Sequence, residues 1–423
     1  MASQALAPPA ATPFANAGFA TLVLLVALAQ LDAVGNRLSD GLPVSLYTMT
    51  YAATAGLALL AWYDGQSSRT RTAIPLGCRL AGLFFLWALF SWTLSRNRVE
   101  GWEYLVDLAA AMGLLPLISV LANTPARLRA LIWTIILSGV VSAAIVHIDF
   151  LTGQRLVSAA EAAVSAEFSG FARSAGGSDE NPTTAAQMLM VSIGLMLGYL
   201  AVEKRGRAIL AGLLLLCLSG LAIMAARSAV LGLAVMVVLL LASLRARRSA
   251  AVVGAAALVL GLAALMFLPA AFVDRFLALS DWSSDPTLFR RFAYLRVGSD
   301  LFAQSPVWGV GPGNFPNYFA SSEYRFLSGR VPGERELHNT YLDSAAELGL
   351  VGLALLLALL GAALAAVRSQ RRALEWPALG LYLALAGLAA ASFFMPNKDM
   401  RYLWILLALA FQWGRLRARD AAS

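Results

Sequence analysis

Long apolar runs, each near twenty residues and bounded by charged or turn-forming residues, follow one another along almost the whole chain. Twelve stand out, near 16–34, 43–63, 75–94, 102–123, 128–150, 184–202, 208–225, 228–244, 250–270, 339–367, 376–395 and 400–414. As helices rising ~1.5 Å per residue, runs of this length match the roughly 30 Å hydrocarbon core of a bilayer. They are continuously apolar rather than alternating, which excludes an outer-membrane barrel. The pattern therefore predicts an all-α polytopic membrane protein of about twelve transmembrane helices. A single transmembrane domain would cover residues 1–423.

Two segments between runs are too long to be turns. Residues 151–183 are small and polar, and residues 271–338 form a larger loop between the ninth and tenth spans. Long loops of this kind are functional or disordered. The second carries apolar residues at helical spacing, Leu288, Phe292, Leu295 and Phe302, so it is expected to hold amphipathic helices lying on the membrane.

Composition and charge sharpen this picture. Of 423 residues 59% are hydrophobic and 13% charged, with a mean hydropathy of +0.71, whereas soluble domains are about 25% charged. A soluble fold is excluded. An even number of spans places both termini on one side, and 17 of the 32 lysines and arginines fall there against four acids. The positive-inside rule then puts both termini in the cytoplasm and the two long loops in the periplasm. The formal charge of +8 is thus a matter of topology, and no nucleic-acid partner is expected. The first basic residue is Arg37, so the first run lacks the charged start of a cleavable signal peptide and is expected to remain as a membrane helix. Cys78 and Cys217 stand far apart in apolar segments and suggest neither a disulfide framework nor a zinc site.

Charged residues other than Asp107 cluster at the ends of the spans. A transporter would place them along a path through the membrane, so chemistry is expected at the outer surface. Arg227 stands in the very short outer turn between two apolar runs, at the start of a helix running inward. Helix N-termini favour anions, and a guanidinium adds forked donors suited to phosphate; a snorkelling anchor is the alternative role. At ~100° per residue, Arg291 lies about 60° from Leu288, at the edge of the apolar stripe, while Arg290 lies nearly opposite. Arg291 is the better placed to face a buried site.

His338 lies where the outer loop meets the tenth span. The helix dipole there disfavours the imidazolium, leaving a neutral ring able to accept a proton; a structural hydrogen-bonding role is the alternative. The other histidine, His147, lies near Asp149 with no metal-ligand spacing. The run Pro306-Val-Trp-Gly-Val-Gly-Pro-Gly-Asn-Phe315 has three alternating glycines. It is read as a turn, since neither a strand before it nor a helix after it is evident.

Together, Arg227 followed at Leu231 by leucine, His338 followed at Gly349 by glycine, and Arg291 upstream of the 306–315 run resemble the O-antigen ligase and polymerase superfamily. By motif the resemblance covers about residues 180–350, and Asn181-Pro182 also matches the family's outer loop. Where the family often has a tryptophan four residues beyond the second arginine, this chain has Leu295. The resemblance implies a membrane-embedded glycosyltransferase of the GT-C-like kind, inverting and without metal or other cofactor. It would move O-antigen from undecaprenyl diphosphate to the outer-core sugar of lipid A-core, at the periplasmic face of a bacterial inner membrane. His338 would be the base, and Arg227 and Arg291, with Arg290 beside it, would bind the diphosphate. Asp343 and Glu347, one and two turns below His338, would tune it or bond neighbouring helices. A polymerase shares donor and arginines but extends a second lipid-linked glycan. An O-linked oligosaccharyltransferase or a lipid-glycan transporter fits the chain less well.

Overall fold

The computed structural model describes residues 13–66, 74–157, 174–244, 286–327, 335–370 and 375–420. Among them every regular element is helical. In chain order these are α1 (Pro13–Gln30), α2 (Asp32–Leu38), α3 (Leu46–Gln66), α4 (Leu76–Leu94), α5 (Arg98–Met112), α6 (Leu114–Leu121), α7 (Pro125–Thr152) and α8 (Pro182–Val202). There follow α9 (Arg207–Met224), α10 (Arg227–Leu244), α11 (Pro286–Gln304), α12 (Phe315–Ala320), α13 (Thr340–Gln370), α14 (Trp376–Ala391) and α15 (Arg401–Asp420).

Helices occupy eleven of the twelve predicted positions; the ninth, 250–270, lies outside the described residues. Among the described residues eight stretches are long and apolar enough to cross a membrane: α1, α4, the run Arg98–Leu121, α7, α8, α9, α10 and Thr340–Arg368. Three further expected spans within the described residues are not among them. The sixteen residues of α14 are short for a span, and neither α3 nor α15 is among the eight. The chain is a multi-pass membrane protein in character, with α8 at its centre. Of the apolar window of α8, 72% is buried inside the bundle, against 28–50% for the other seven. Helices apolar all round with half or more of their surface outside the bundle are suited to lipid contact.

Small residues set the tightest packing. A Cβ on Gly198 of α8 would stand 2.3 Å from the backbone nitrogen of Gly380 in α14, so the two backbones meet without side chains between them, as in small-residue membrane interfaces.

Two expected spans are interrupted. The fourth breaks at Gly113 between α5 and α6, because Pro116 has no N–H to offer the carbonyl of Met112. The tenth breaks inside α13 at Gly349, whose φ of 68° and ψ of −171° leave the helical region. A break frees backbone groups that need partners. Here the 306–311 loop supplies them: Val310 and Gly311 donate to the carbonyls of Ala346 and Glu347, and Leu350 donates to Pro306. From α4, the Trp87 indole donates to the Leu348 carbonyl. The glycines permit the approach, since a Cβ on Gly309 would lie 2.2 Å from the Glu347 backbone and one on Gly349 2.1 Å from the Val307 oxygen.

The described part of the 271–338 loop forms a second small core. Tyr294, Val297 and Leu301 of α11 pack with Phe315 and Phe319 of α12 and reach Leu337, just before α13, and Ala346 within it. The expected stripe lies on another face. Phe292 and Leu295 are largely exposed, and the packed face of α11 is the 293–294–297–301 face. A short helix, α12, does follow the glycine run.

Candidate functional site

His338 and Arg291 line one cavity of about 480 Å³, walled by Leu231 of α10, by Phe292, Tyr294 and Leu295 of α11, and by Phe393 and Phe394. The sequence places each of them there by local means. His338 directly precedes Asn339, whose side-chain oxygen accepts from the N–H groups of Tyr341 and Leu342 and so caps the start of α13. That cap holds the imidazole at the helix end, and the ring of Tyr294 meets it edge-on with centroids 5.2 Å apart. Arg291 lies on α11 between the packed face and the exposed Phe292–Leu295 face, and its guanidinium stands over Phe394, 5.3 Å from the ring centroid. Phe292 and Leu295 thus face the cavity rather than the packed core.

Arg227 is the first residue of α10, reached through Ala225, which has a φ of 51° and is the one non-glycine at positive φ among the described residues. That backbone is costly for alanine. It reverses the chain between α9 and α10 within two residues, Ala225 and Ala226. Arg227 does not line the cavity; Leu231, four residues on and therefore on the same face of α10, does. Arg290 belongs to α11, but its side chain lies outside the described residues.

The remaining polar candidates are built into the fold. His147 bonds through both ring nitrogens, to the Ala143 carbonyl at 2.7 Å and the Ser219 hydroxyl at 2.9 Å. Asn181 caps α8 through the Thr183 N–H. Glu347 accepts from the backbone N–H groups of Gly313 and Phe315, both at 2.9 Å. The donors of the glycine run are therefore consumed within the protein. Of the two roles expected for Asp343 and Glu347, the structure displays bonding to neighbouring elements. Both carboxylates meet the ammonium of Lys398 at 2.5 Å, and all three side chains are buried.

Sequence reasoning missed Lys398. Burial alone would lower its pKa, but Asp343 and Glu347 hold the ammonium above its ordinary range. The available signal was the acid pair itself, since two carboxylates one turn apart in an apolar helix call for a buried cation. Beside it, burial pushes the Asp399 carboxyl up to about 6, with Lys398 opposing the rise. Among the described residues no group of three His, Cys, Asp or Glu side chains converges where a metal could bind.

The family model described as O-antigen ligase matches residues 211–357. That span contains Arg227, Arg291, His338 and the broken part of α13. No curated protein matches the chain.

Proposed function

We propose that this chain, a member of the O-antigen ligase and polymerase superfamily of glycosyl-transfer enzymes, is an O-antigen ligase. It takes O-antigen polysaccharide from undecaprenyl diphosphate and joins it to the outer-core sugar of lipid A-core. The protein lies in the bacterial inner membrane with both termini cytoplasmic, and residues 271–338 form a periplasmic loop of its single transmembrane domain. The observation that carries this reading is the cavity in which a guanidinium and an imidazole share a wall that, Asn339 apart, is apolar and aromatic. Such a wall suits a substrate whose diphosphate is attached to a hydrocarbon chain.

The reaction requires a base for the acceptor hydroxyl and stabilisation of the diphosphate that leaves. The acceptor oxygen bonds to the anomeric carbon from the face opposite the diphosphate, and the hydroxyl proton passes to the His338 imidazole. The bond from the anomeric carbon to the diphosphate oxygen breaks with its electron pair, inverting the configuration, and undecaprenyl diphosphate departs. Arg291 and Arg227, with Arg291's chain neighbour Arg290, hold the diphosphate through forked donors that match its oxygens. Their fixed charge takes the place of a divalent cation.

The test supplies purified protein with lipid-linked O-antigen and either lipid A-core or a second lipid-linked glycan, with and without excess EDTA. Ligation predicts lipid A-core carrying the donor glycan at unchanged length, undiminished by chelation. Elongation of the second lipid-linked glycan would make the protein a polymerase. Activity lost to EDTA and restored by magnesium or manganese would overturn the arginine assignment.

A further inference from the structure

Four side chains in the middle of the bundle form a hydrogen-bonded path between the two elements that carry Arg227 and His338. Gln187 of α8 is fully buried. Its Nε2 donates to the hydroxyl of Ser228, the residue after Arg227, at 3.2 Å. Its Oε1 accepts from Nδ2 of Asn397 at 2.9 Å. The backbone N–H of Asn397 in turn donates to the Thr340 hydroxyl at 2.7 Å, two residues after His338.

The path has a single direction. Nε2 of Gln187 also donates to the Ala391 carbonyl, which can only accept, so the amide cannot be turned over. Nδ2 of Asn397 donates to the Ser392 hydroxyl, whose own hydrogen goes to the Leu388 carbonyl. Oδ1 of Asn397 accepts from the Tyr402 hydroxyl at 2.5 Å, and the Thr340 hydroxyl donates to the Met395 carbonyl. Gln187, Ser228, Asn397, Thr340, Ser392 and Tyr402 are each at most 3% exposed. Apolar side chains would fill this space without the cost of burying amides. A fully satisfied polar network instead selects one arrangement of the elements it joins.

Resting on the ligase reading, we infer that Gln187 is a positioning residue which, through Ser228 and Asn397, fixes the start of α10 relative to the start of α13. It thereby sets the diphosphate-binding Arg227 against the base His338. Gln187 touches no substrate. Its effect is on distance, and a misplacement of about 1 Å can cost ~10²-fold in rate.

The experiment compares Gln187→Met, Arg227→Lys and the double variant in purified form, measuring kcat and donor KM alongside thermal midpoint. Methionine keeps the volume and removes all of the amide's bonds. Positioning predicts that Gln187→Met lowers kcat by roughly 10- to 100-fold with donor KM little changed. The double variant should be no slower than Arg227→Lys alone, because the amide acts through that arginine. Effects that multiply in the double variant would mark independent sites and overturn the inference, as would a wild-type kcat in Gln187→Met. Should Gln187→Met fail to fold, Ser228→Ala, which removes one hydroxyl, decides in its place. It should lower kcat several-fold and show the same non-additivity with Arg227→Lys; an unchanged kcat overturns the proposal. Absence of transfer by the wild-type protein would instead remove the ligase reading, and this inference with it, whereas an active wild type matched in kcat by the variants removes the inference alone.

Discussion

The guanidinium of Arg291 lies 5.3 Å above the ring of Phe394, which joins the outer loop to the turn between α14 and α15. Cation and ring attract each other. Both residues line the cavity that Arg291 shares with His338, and phosphate recognition there would need the forked guanidinium rather than its charge alone.

Phosphate recognition and membrane anchoring separate on this point. Guanidinium forks match phosphate oxygens in a way that an ammonium does not, while an anchor needs only charge and a long stem. Arg227→Lys and Arg291→Lys are each expected to lower the ligation rate by at least tenfold with normal expression, and Arg290→Lys to be milder. Initial rates across a donor titration at saturating acceptor check this. Near-normal rates for the first two would favour anchoring, and a dominant effect at Arg290 would move the contact to the neighbouring residue.

The two histidines should differ sharply. His338→Ala is expected to retain fold and donor binding and to lose about 10²- to 10⁴-fold in turnover, the usual range for removing a general base. His147 spends both ring nitrogens on Ala143 and Ser219, so His147→Ala should leave turnover per folded molecule near that of the wild type. Single-turnover rates with equal donor occupancy make the comparison. Equal losses in the two variants would take the base away from His338.

Much of this architecture was legible because a bilayer permits few solutions: a run of about twenty apolar residues has to be a helix. The helix start beside His338 and the turn at Arg227 were equally local, and both stand where the chain pattern put them. The break at Gly349 was not, because its freed carbonyls find partners in residues 306–311, some forty positions earlier. Lys398 looked like one more loop charge, since its carboxylates lie 51 and 55 residues away. The apolar stripe of α11 was legible from periodicity, but that Phe292 and Leu295 line a cavity with Arg291 was not, because the other wall comes from distant residues such as Leu231 and Phe393. Gln187 and Asn397 have no local pattern at all; only the crossing of α8, α10 and the 392–400 turn brings them together.

Asp399 gives a pH-dependent expectation outside the spans. Its carboxyl is raised to about 6 by burial, with Lys398 opposing, so the folded protein binds this proton more tightly than the unfolded chain. Linkage then requires its contribution to stability to fall as pH rises from the ordinary carboxyl range through about 6. Asp399→Asn should therefore raise the thermal midpoint above pH 6, and the advantage should shrink as pH falls and vanish below about pH 4. Melting curves of both proteins in one detergent across that range decide it. A difference that does not change with pH would mean that the carboxyl is not strained by burial.

The buried triad of Asp343, Glu347 and Lys398 ties the broken part of α13 to the turn before α15, and Glu347 carries the glycine loop on the same carboxylate. Removing the cation leaves two buried carboxylates facing each other. Breaking a buried ion pair by deleting one partner costs about 3–5 kcal/mol, so Lys398→Met should lower the thermal midpoint strongly and reduce the yield of monodisperse protein. Part of that loss should return in Lys398→Met combined with Asp343→Asn, because one of the stranded charges is then gone. Glu347→Gln in the same background should recover less, since the carboxylate of Glu347 still serves the N–H groups of Gly313 and Phe315 and an amide can accept at only one oxygen. Detergent melting curves of the four proteins test the order. A single variant as stable as the wild type, or greater recovery from Glu347→Gln than from Asp343→Asn, would show that the glycine loop does not depend on this carboxylate.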